Sequence, residues 1–276
     1  MIQNEKATDH GLVSIVMLSH NRAQYVEESV RSVMAQTYQN WELLFVDDNS
    51  KDNTITMMMD LKNEAKIRRE DYSFIERIKV SQTIVQKGDA FNRNVSLKEA
   101  RGRWIAFLDA GDVWAPEKLE KQITFMEEND YAVSYTAYGL MDRKSRNRGV
   151  VVSGKAHVTH KDMLKCCWPA YLTVMYDAQK VGLMQVRCSQ NNDYALWLNV
   201  TDKHDCHLLQ ENLATARTKW RWVGKILLTD NAKWRYDAYR MDEDLKPVTA
   251  FLYTIRNGVY GMVKWLRYVK RSHRDS

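Results

Sequence analysis

The chain has 276 residues, 45% hydrophobic and 28% charged, which is an ordinary globular balance. Most of the net charge of +6 lies at the C-terminus, because residues 251–276 contain six basic residues and one acidic residue. A nucleic-acid-binding protein would spread positive charge over its body. We therefore exclude a nucleic-acid partner and expect a tail with its own anionic partner.

The sequence predicts neither a membrane-spanning helix nor a secretory signal. No apolar run approaches the roughly 20 residues of a spanning helix, and residues 1–10 are polar, unlike a secretory signal. We expect a cytoplasmic protein, peripheral to the inner face of the membrane if its tail binds lipid. The four cysteines fit that compartment as reduced thiols.

Strand and helix patterns alternate in the first half of the chain. Short apolar runs predict strands at residues 12–18, 41–46, 78–80 and 104–108, with helical patterns between them after Asn21, at 53–62 and at 89–100. Asn21 is the expected N-cap of the first helix. This alternation predicts an α/β fold with a mostly parallel sheet and helices on both faces.

The second half of the chain is predicted to complete the sheet with strands of mixed direction and to end in helices. The sequence predicts a helix after Pro116, strands at 132–140, 150–152 and 172–176, a helix at 193–200, and helix from Trp222 onward with a break near Lys246–Pro247. We place a catalytic domain at residues 1–220 and a helical C-terminal extension at 221–276.

Two acidic clusters follow predicted strands. Asp47 and Asp48 end the second strand, and Asp109 and Asp112 follow the fourth. Ligands of open parallel sheets bind beyond the carboxyl ends of the strands, and clustered carboxylates favour a cation such as Mg²⁺ or Mn²⁺. Taken alone, the second cluster fits a solvated turn with helix-capping aspartates equally well.

Six motifs, in order, resemble family 2 glycosyltransferases of the GT-A fold, a Rossmann-like mixed sheet flanked by helices. They lie at residues 13–22, 32–50, 92–94, 100–112, 114–119 and 191–198, and the resemblance covers about residues 11–220. It implies inverting transfer of a sugar from a nucleotide-diphosphate donor, typically a UDP-sugar, with Mn²⁺ or Mg²⁺. The acceptor would be a hydroxyl in the assembly of a polysaccharide, lipid-linked glycan or glycoprotein.

The resemblance also assigns roles to individual residues. It implies that Asp112 binds the metal and that Asp193 is the catalytic base, which takes the proton of the acceptor hydroxyl. It places the nucleotide against Leu18, Ser19, His20, Arg22, Asp47, Asp48, Arg93 and Asp109. Gly111 departs from the commoner Asp-Ser-Asp-Asp form, and Asn192 replaces a common Glu beside Asp193. Arg217, Lys219 and Lys225 match a segment that closes over the donor, and we interpret them as surface charges.

Two other functions remain as alternatives. A nucleotidyltransferase would have a Gly-rich, basic phosphate loop after the first strand, and residues 20–22 (His-Asn-Arg) do not form one. A non-catalytic nucleotide-binding homologue would lose the metal or base aspartate, and both Asp112 and Asp193 are present.

The tail has a separate pattern. Apolar residues recur at spacings of three and four along one side of the predicted helix: Leu252, Ile255, Val259, Met262, Leu266 and Val269. Flanking aromatic and basic residues suit an anionic membrane surface. The same spacing also suits a homo-oligomer interface or packing on the chain's own domain, and the pattern leaves these three open.

Overall fold

Four parallel strands within residues 13–107 form one half of the sheet. The computed structural model describes residues 10–69, 76–185, 193–218, 230–241 and 243–271. The strands are β1 (Val13–Ser19), β2 (Trp41–Asp47), β3 (Ile78–Gln82) and β4 (Trp104–Phe107), in the order β3-β2-β1-β4. All residues of β1, β2 and β4 are buried, which explains why their sequences are mostly apolar.

Helices cover both faces of these strands. They are α1 (Ala23–Met34), α2 (Thr54–Arg69), α3 (Asp89–Glu99) and α4 (Lys118–Glu128). Alternate residues of β1 enter different cores: Val13, Ile15 and Met17 pack on one face of the sheet, and Val16 and Leu18 on the other. The predicted strand–helix alternation and the α/β fold class are confirmed.

The other half of the sheet is mixed. It contains β5 (Val113–Trp114), β6 (Val133–Met141), β7 (Asn147–Val152), β8 (His157–Val158), β9 (Met175–Asp177) and β10 (Cys206–Arg217). β9 lies between β4 and β6 and is antiparallel to both, while β10 is parallel to β6 and antiparallel to β5 and β8. The strand predicted at 172–176 is instead a 3₁₀ turn at Tyr171–Thr173 followed by β9.

Three short helices link these strands: α5 (His160–Met163), α6 (Ala178–Val181) and α7 (Asp193–Thr201). α7 was predicted from its sequence, and its described side chains are almost all buried, Tyr194, Leu196 and Trp197 among them.

The C-terminal extension returns to the sheet. α8 (Asp230–Met241) and α9 (Pro247–Tyr268) are separated at the predicted break, and β11 (Val269–Arg271) then pairs antiparallel with β7. The apolar stripe predicted for this helix included Val269, but the helix ends at Tyr268 and Val269 begins β11. The expected helix start at Trp222 lies outside the described residues, and the domain boundary at residue 220 stays a prediction. Within the described ranges, no helix is both long and apolar enough to cross a membrane.

Candidate active site

The two acidic clusters lie at the same edge of the sheet, because β2 and β4 flank β1 in parallel. Backbone hydrogen bonds connect the strand ends: Asp48 N donates to Ser19 O at 2.8 Å, and Ala110 N donates to Leu18 O at 2.9 Å. Leu18 and Ser19 are therefore held between the two clusters, both nearly buried. The structure thus places Leu18, Ser19 and Asp48, three of the predicted donor-site residues, in one short stretch of this edge.

Asp47 and Asp48 are buried and hold the neighbouring loops. Asp47 Oδ2 accepts hydrogen bonds from Ser50 N at 2.8 Å and Gln82 Nε2 at 3.0 Å. Asp48 accepts from Lys87 N at 2.8 Å and Gly88 N at 2.9 Å. Burial raises the pKa of Asp48, but these bonds and those from the Asn92 and Thr83 side chains outweigh it and lower the pKa below its usual value. Asp48 is therefore an ionised acceptor at neutral pH.

The loop after β1 is bonded to the loop after β2. Asn21 has φ 51°, its N–H donates to Ser50 Oγ at 2.7 Å, and its Oδ1 accepts from Lys51 N at 2.8 Å. His20 Nδ1 lies 2.7 Å from Asp48 O. The prediction that Asn21 caps α1 is wrong, because Asp52 Oδ2 accepts the first helical N–H, from Ala23, at 3.1 Å. The cap comes from a neighbouring loop, which local sequence does not reveal.

Asp109 and Arg93 form an ion pair beneath the site. Arg93 Nη2 lies 3.8 Å from Asp109 Oδ2, and the arginine is 2% exposed. Its guanidinium carbon lies 4.1 Å from the centre of the Tyr171 ring. Arg93 thus contacts the predicted donor residue Asp109.

Asp112 is a partly buried carboxylate at the mouth of β4. Its Oδ1 accepts a hydrogen bond from Arg217 N at 2.8 Å. Burial raises the pKa of Asp112 to about 6, although this bond and the charges of Arg217 and Arg22 oppose the shift. A carboxylate that is costly to ionise in the free protein is one that a bound cation would stabilise.

Gly111 has a backbone reason for its place in the motif. Its φ is +122°, a conformation that L side chains rarely adopt, and its N–H donates to Ser29 Oγ at 2.8 Å. The departure from the commoner family sequence therefore accompanies a turn between Asp109 and Asp112 that requires glycine.

Arg217 connects the end of β10 to the Gly111 turn, to the turn at residues 142–145 and to α1. It ends β10, and its side chain is 6% exposed. The guanidinium donates to Gly111 O at 2.8 Å, to Asp142 O at 3.1 Å and to Ser145 Oγ at 2.9 Å, pairs with Glu28, and lies 4.4 Å from the centre of the Tyr25 ring. The interpretation of Arg217 as a surface charge is wrong, because β10 buries it against Gly111. Lys219 and Lys225 lie outside the described residues.

A pocket of about 190 Å³ opens beside the two carboxylates. It is lined by Arg22, Tyr25, Asp109, Ala110, Gly111, Asp112, Arg143, Arg217 and Thr218. The guanidinium of Arg217 is already engaged, whereas Arg22 and Arg143 are exposed. The pocket therefore combines two carboxylates with two exposed cationic side chains, a composition suited to a cation and an anionic ligand together.

The predicted base stands at the start of α7. Asp193 is the first residue of this helix, and Tyr194 is buried behind it. The side chain of Asp193 lies outside the described part of the structure, so its role stays a prediction.

Histidine and cysteine give no competing metal centre in the described ranges. No group of three His, Cys, Asp or Glu side chains there is arranged to hold a metal. His157 instead pairs with Asp205 at 2.6 Å, and Cys166, Cys167 and Cys206 are free thiols.

The structure brings Arg22, Asp109 and Asp112 to one pocket and joins His20 to Asp48. The sequence did not predict that Tyr25 and Arg143 line the pocket, nor that Arg217 forms an ion pair with Glu28. Tyr25 could have been found from its place in the first turn of α1, next to the loop after β1. Arg143 and Arg217 become visible only once β6 and β10 are known to be neighbours.

Comparison with known proteins agrees with this fold. The family model for glycosyl transferase family 2 matches residues 14–165. Over 192 residues the chain is 36% identical to UDP-Glc:alpha-D-GlcNAc-diphosphoundecaprenol beta-1,3-glucosyltransferase WfgD of Escherichia coli, covering 70% of each chain. TarS 1-349 of S. aureus, solved in complex with UDP-GlcNAc, superposes with a TM-score of 0.64 at 18% identity, covering 87% of this chain and 71% of that one.

A mannosyltransferase of Pyrobaculum calidifontis, PcManGT, solved in complex with GDP-Man and Mn²⁺, superposes with a TM-score of 0.63 at 12% identity. The alignment covers 91% of this chain and 72% of PcManGT. Both structural matches support the GT-A fold.

The fold is that of the GT-A glycosyltransferases. The chain belongs to glycosyl transferase family 2, and it transfers a sugar from a nucleotide-sugar donor to an acceptor. Family membership decides against the nucleotidyltransferase alternative.

Proposed function

We propose that the protein is an inverting, metal-dependent transferase that moves a sugar from a UDP-sugar to a hydroxyl of a lipid-linked glycan. The observation that carries the proposal is the pairing of Asp109 and Asp112 with Arg22 and Arg143 around one pocket at the end of β4. WfgD supports the donor and the acceptor class, since its name specifies UDP-Glc and a diphosphoundecaprenol acceptor.

The nucleotide end of the donor is assigned to the edge formed by β1 and β2. Asp48 would frame a uracil base through the loop that it holds, since its ionised carboxylate accepts hydrogen bonds from Lys87 N and Gly88 N. Leu18, Ser19, His20 and Asp47 form the surrounding backbone and loops.

A divalent ion fits the residues at the diphosphate end. Mg²⁺ and Mn²⁺ are held in such sites by one or two carboxylates together with phosphate oxygens, and Asp112 and Asp109 are the carboxylates present. The ion would neutralise the departing diphosphate; PcManGT, with Mn²⁺, supports this cofactor class. Arg22 and Arg143 would pair with the same phosphates.

Asp193 is proposed as the base for the acceptor. A carboxylate within hydrogen-bond reach accepts the hydroxyl proton as the new glycosidic bond forms. One base and attack from the side opposite the leaving diphosphate imply inversion at the anomeric carbon. A lipid-linked acceptor would place the enzyme at the inner face of the membrane. The C-terminal helix is the candidate contact, either with that surface or with a second subunit.

Replacement of the metal carboxylate tests the proposal. Asp112→Asn should abolish turnover and the part of UDP binding that depends on Mn²⁺, because an amide is a weak ligand for a hard cation. Calorimetric titration of UDP with and without Mn²⁺ measures this, and circular dichroism checks the fold. Asp130→Asn is the matched control, since Asp130 is an exposed aspartate paired with Lys180 on the surface.

An Asp112→Asn protein that keeps the full Mn²⁺-dependent affinity would remove Asp112 from the metal site. If the UDP affinity of the wild-type protein is the same with and without Mn²⁺, metal dependence is contradicted. That result would favour a non-catalytic homologue.

A further inference from the structure

One side of α9 is a broad apolar surface exposed to solvent. The helix has 22 residues, and Ala250 and Asn257 mark its buried side. At 100° per residue the opposite side spans a sector of about 160° that contains no polar side chain. We call it the apolar sector; its large exposed members are Val248, Phe251, Leu252, Ile255, Val259, Met262, Val263, Trp265 and Leu266. In the described structure the predicted stripe thus faces outward.

Two of the basic residues of the tail hold α9 in this orientation. Arg256 Nη2 donates to Leu164 O at 3.2 Å, and Lys264 Nζ donates to Cys167 O at 2.9 Å. Both charges therefore satisfy main-chain carbonyls of the body of the protein. The apolar sector is consequently presented by a helix that is fixed on its other side.

The remaining charges are at the ends of the helix and have one sign. Arg267, Lys270 and Arg271 are exposed near its C-terminus, and Lys246 precedes its N-terminus. Residues 246–271 contain no Asp or Glu. Any partner of the apolar sector therefore meets positive charge at both ends.

This charge pattern selects the partner. A second copy would bring basic ends against basic ends in either a parallel or an antiparallel helix pair, and α9 has no carboxylate to compensate. An anionic bilayer accepts both features, because the apolar side chains enter the acyl boundary and the basic residues meet lipid phosphates. Trp265 lies at the edge of the sector, where an indole suits the headgroup boundary.

We propose that α9 lies in the surface of an anionic membrane with its apolar sector buried among the lipids. This inference rests on the proposed function, because a lipid-linked acceptor is what would require the enzyme to bind a membrane. It also gives the site an orientation: Asn257, on the inner side of α9, donates to Tyr194 Oη at 3.0 Å, and Tyr194 follows Asp193. Membrane docking therefore holds the start of α7, with the proposed base, close to the bilayer.

Vesicle sedimentation tests the proposal on the full chain. We compare vesicles of phosphatidylcholine alone with vesicles containing about a third phosphatidylglycerol. The wild type should bind the anionic vesicles more strongly. Leu252→Gln with Leu266→Gln should weaken binding at least tenfold, since these two side chains are 58% and 73% exposed and contribute apolar area without supporting the fold.

Met59→Gln with Leu183→Gln is the matched control, because it removes two exposed apolar side chains from elsewhere on the surface. It should bind like the wild type. Equal binding by both double variants, or no binding by the wild type, would overturn the proposal. Sedimentation velocity without vesicles completes the test: a dimer that the α9 variant alone dissociates would assign the sector to a second copy instead.

Hydrolysis of UDP-sugars without acceptor separates this inference from the proposed function. The α9 variant should retain the wild-type rate, because the apolar sector contains no residue of the donor pocket. If the protein binds vesicles but neither hydrolyses UDP-sugars nor transfers a sugar, the proposed function is refuted. The proposal that α9 binds the membrane would still hold.

Discussion

Asp193 is the residue whose substitution separates catalysis from binding. We expect Asp193→Asn to keep donor binding and to slow transfer by about 10²–10⁴-fold, the usual contribution of a general base. The measurement is the initial rate of transfer to a proven acceptor, alongside calorimetry with UDP. Because asparagine also suits a helix N-terminus, α7 should persist, and near-normal transfer would mean that another group accepts the proton.

Lys118 should make the stability of the protein depend on pH. It is fully buried, its Nζ donates to Gln122 Oε1 at 2.6 Å, and burial lowers its pKa to about 7. Below pH 7 the lysine is charged in both states and the full cost of burying the charge applies. Above pH 7 the native state loses the proton that the unfolded chain keeps up to about pH 10.5, so stability rises with pH over that interval.

Lys118→Met should therefore stabilise the protein more at pH 6 than at pH 9, by a difference of about 2–3 kcal/mol. Urea unfolding of both proteins at the two pH values measures it. The unpaired Gln122 Oε1 reduces the gain equally at each pH and leaves the difference unchanged. An equal effect at pH 6 and pH 9 would show that Lys118 is charged, or neutral, at both.

The acidic residues of the candidate site could be predicted from the sequence, but the residues that contact them could not. Asp47, Asp48, Asp109 and Asp112 could be placed because each follows an apolar strand, and the strand order then brings them to one edge. Arg217 could not be placed, since its partners Glu28 and Gly111 are remote in sequence and meet it only through β10.

One buried hydrogen-bond network connects α7, α8 and α9. Asn257 Nδ2 donates to Tyr194 Oη at 3.0 Å and to Tyr239 Oη at 3.1 Å. The tyrosines in turn donate to Met163 O at 2.6 Å and Leu164 O at 2.8 Å. Three helices are thereby joined to the C-terminal end of α5.

Asn257→Ala should destabilise the protein by about 2 kcal/mol, because it leaves two buried hydroxyls without their donor and opens a small cavity. A double-mutant cycle with Tyr194→Phe in urea unfolding is the appropriate measurement. A coupling free energy of about 1 kcal/mol or more would demonstrate the contact. Strictly additive effects would mean that the two side chains act independently.

Elements with a regular period were predicted better than irregular ones. β1, β2 and β4 are short, mostly apolar runs, and α1 and α4 repeat their buried residues at helical spacing. β10 was missed because its register against β6 shifts between Leu209 and Asn212 and again before Ala214. These irregularities break the alternation by which a strand is recognised.

For the whole molecule, the parallel half of the sheet followed from the order of elements, since right-handed crossovers leave few arrangements. The mixed half did not, because β5, β8 and β9 have only two or three residues each. The return of the chain to the sheet through β11 was also missed. Its pairing with Val150–Val152 of β7 depends on a contact more than a hundred residues away in sequence.

The central position of β1 has a consequence for synthesis of the protein. Val13 pairs with Trp41 on one side but with Trp104 on the other. A nascent chain that contains β2 but not yet β4 therefore carries a largely apolar strand, β1, with one unpaired edge. Such edges invite pairing with other chains. We accordingly expect a ribosome-bound chain of about a hundred residues to depend on chaperones until β4 emerges and closes the sheet around β1.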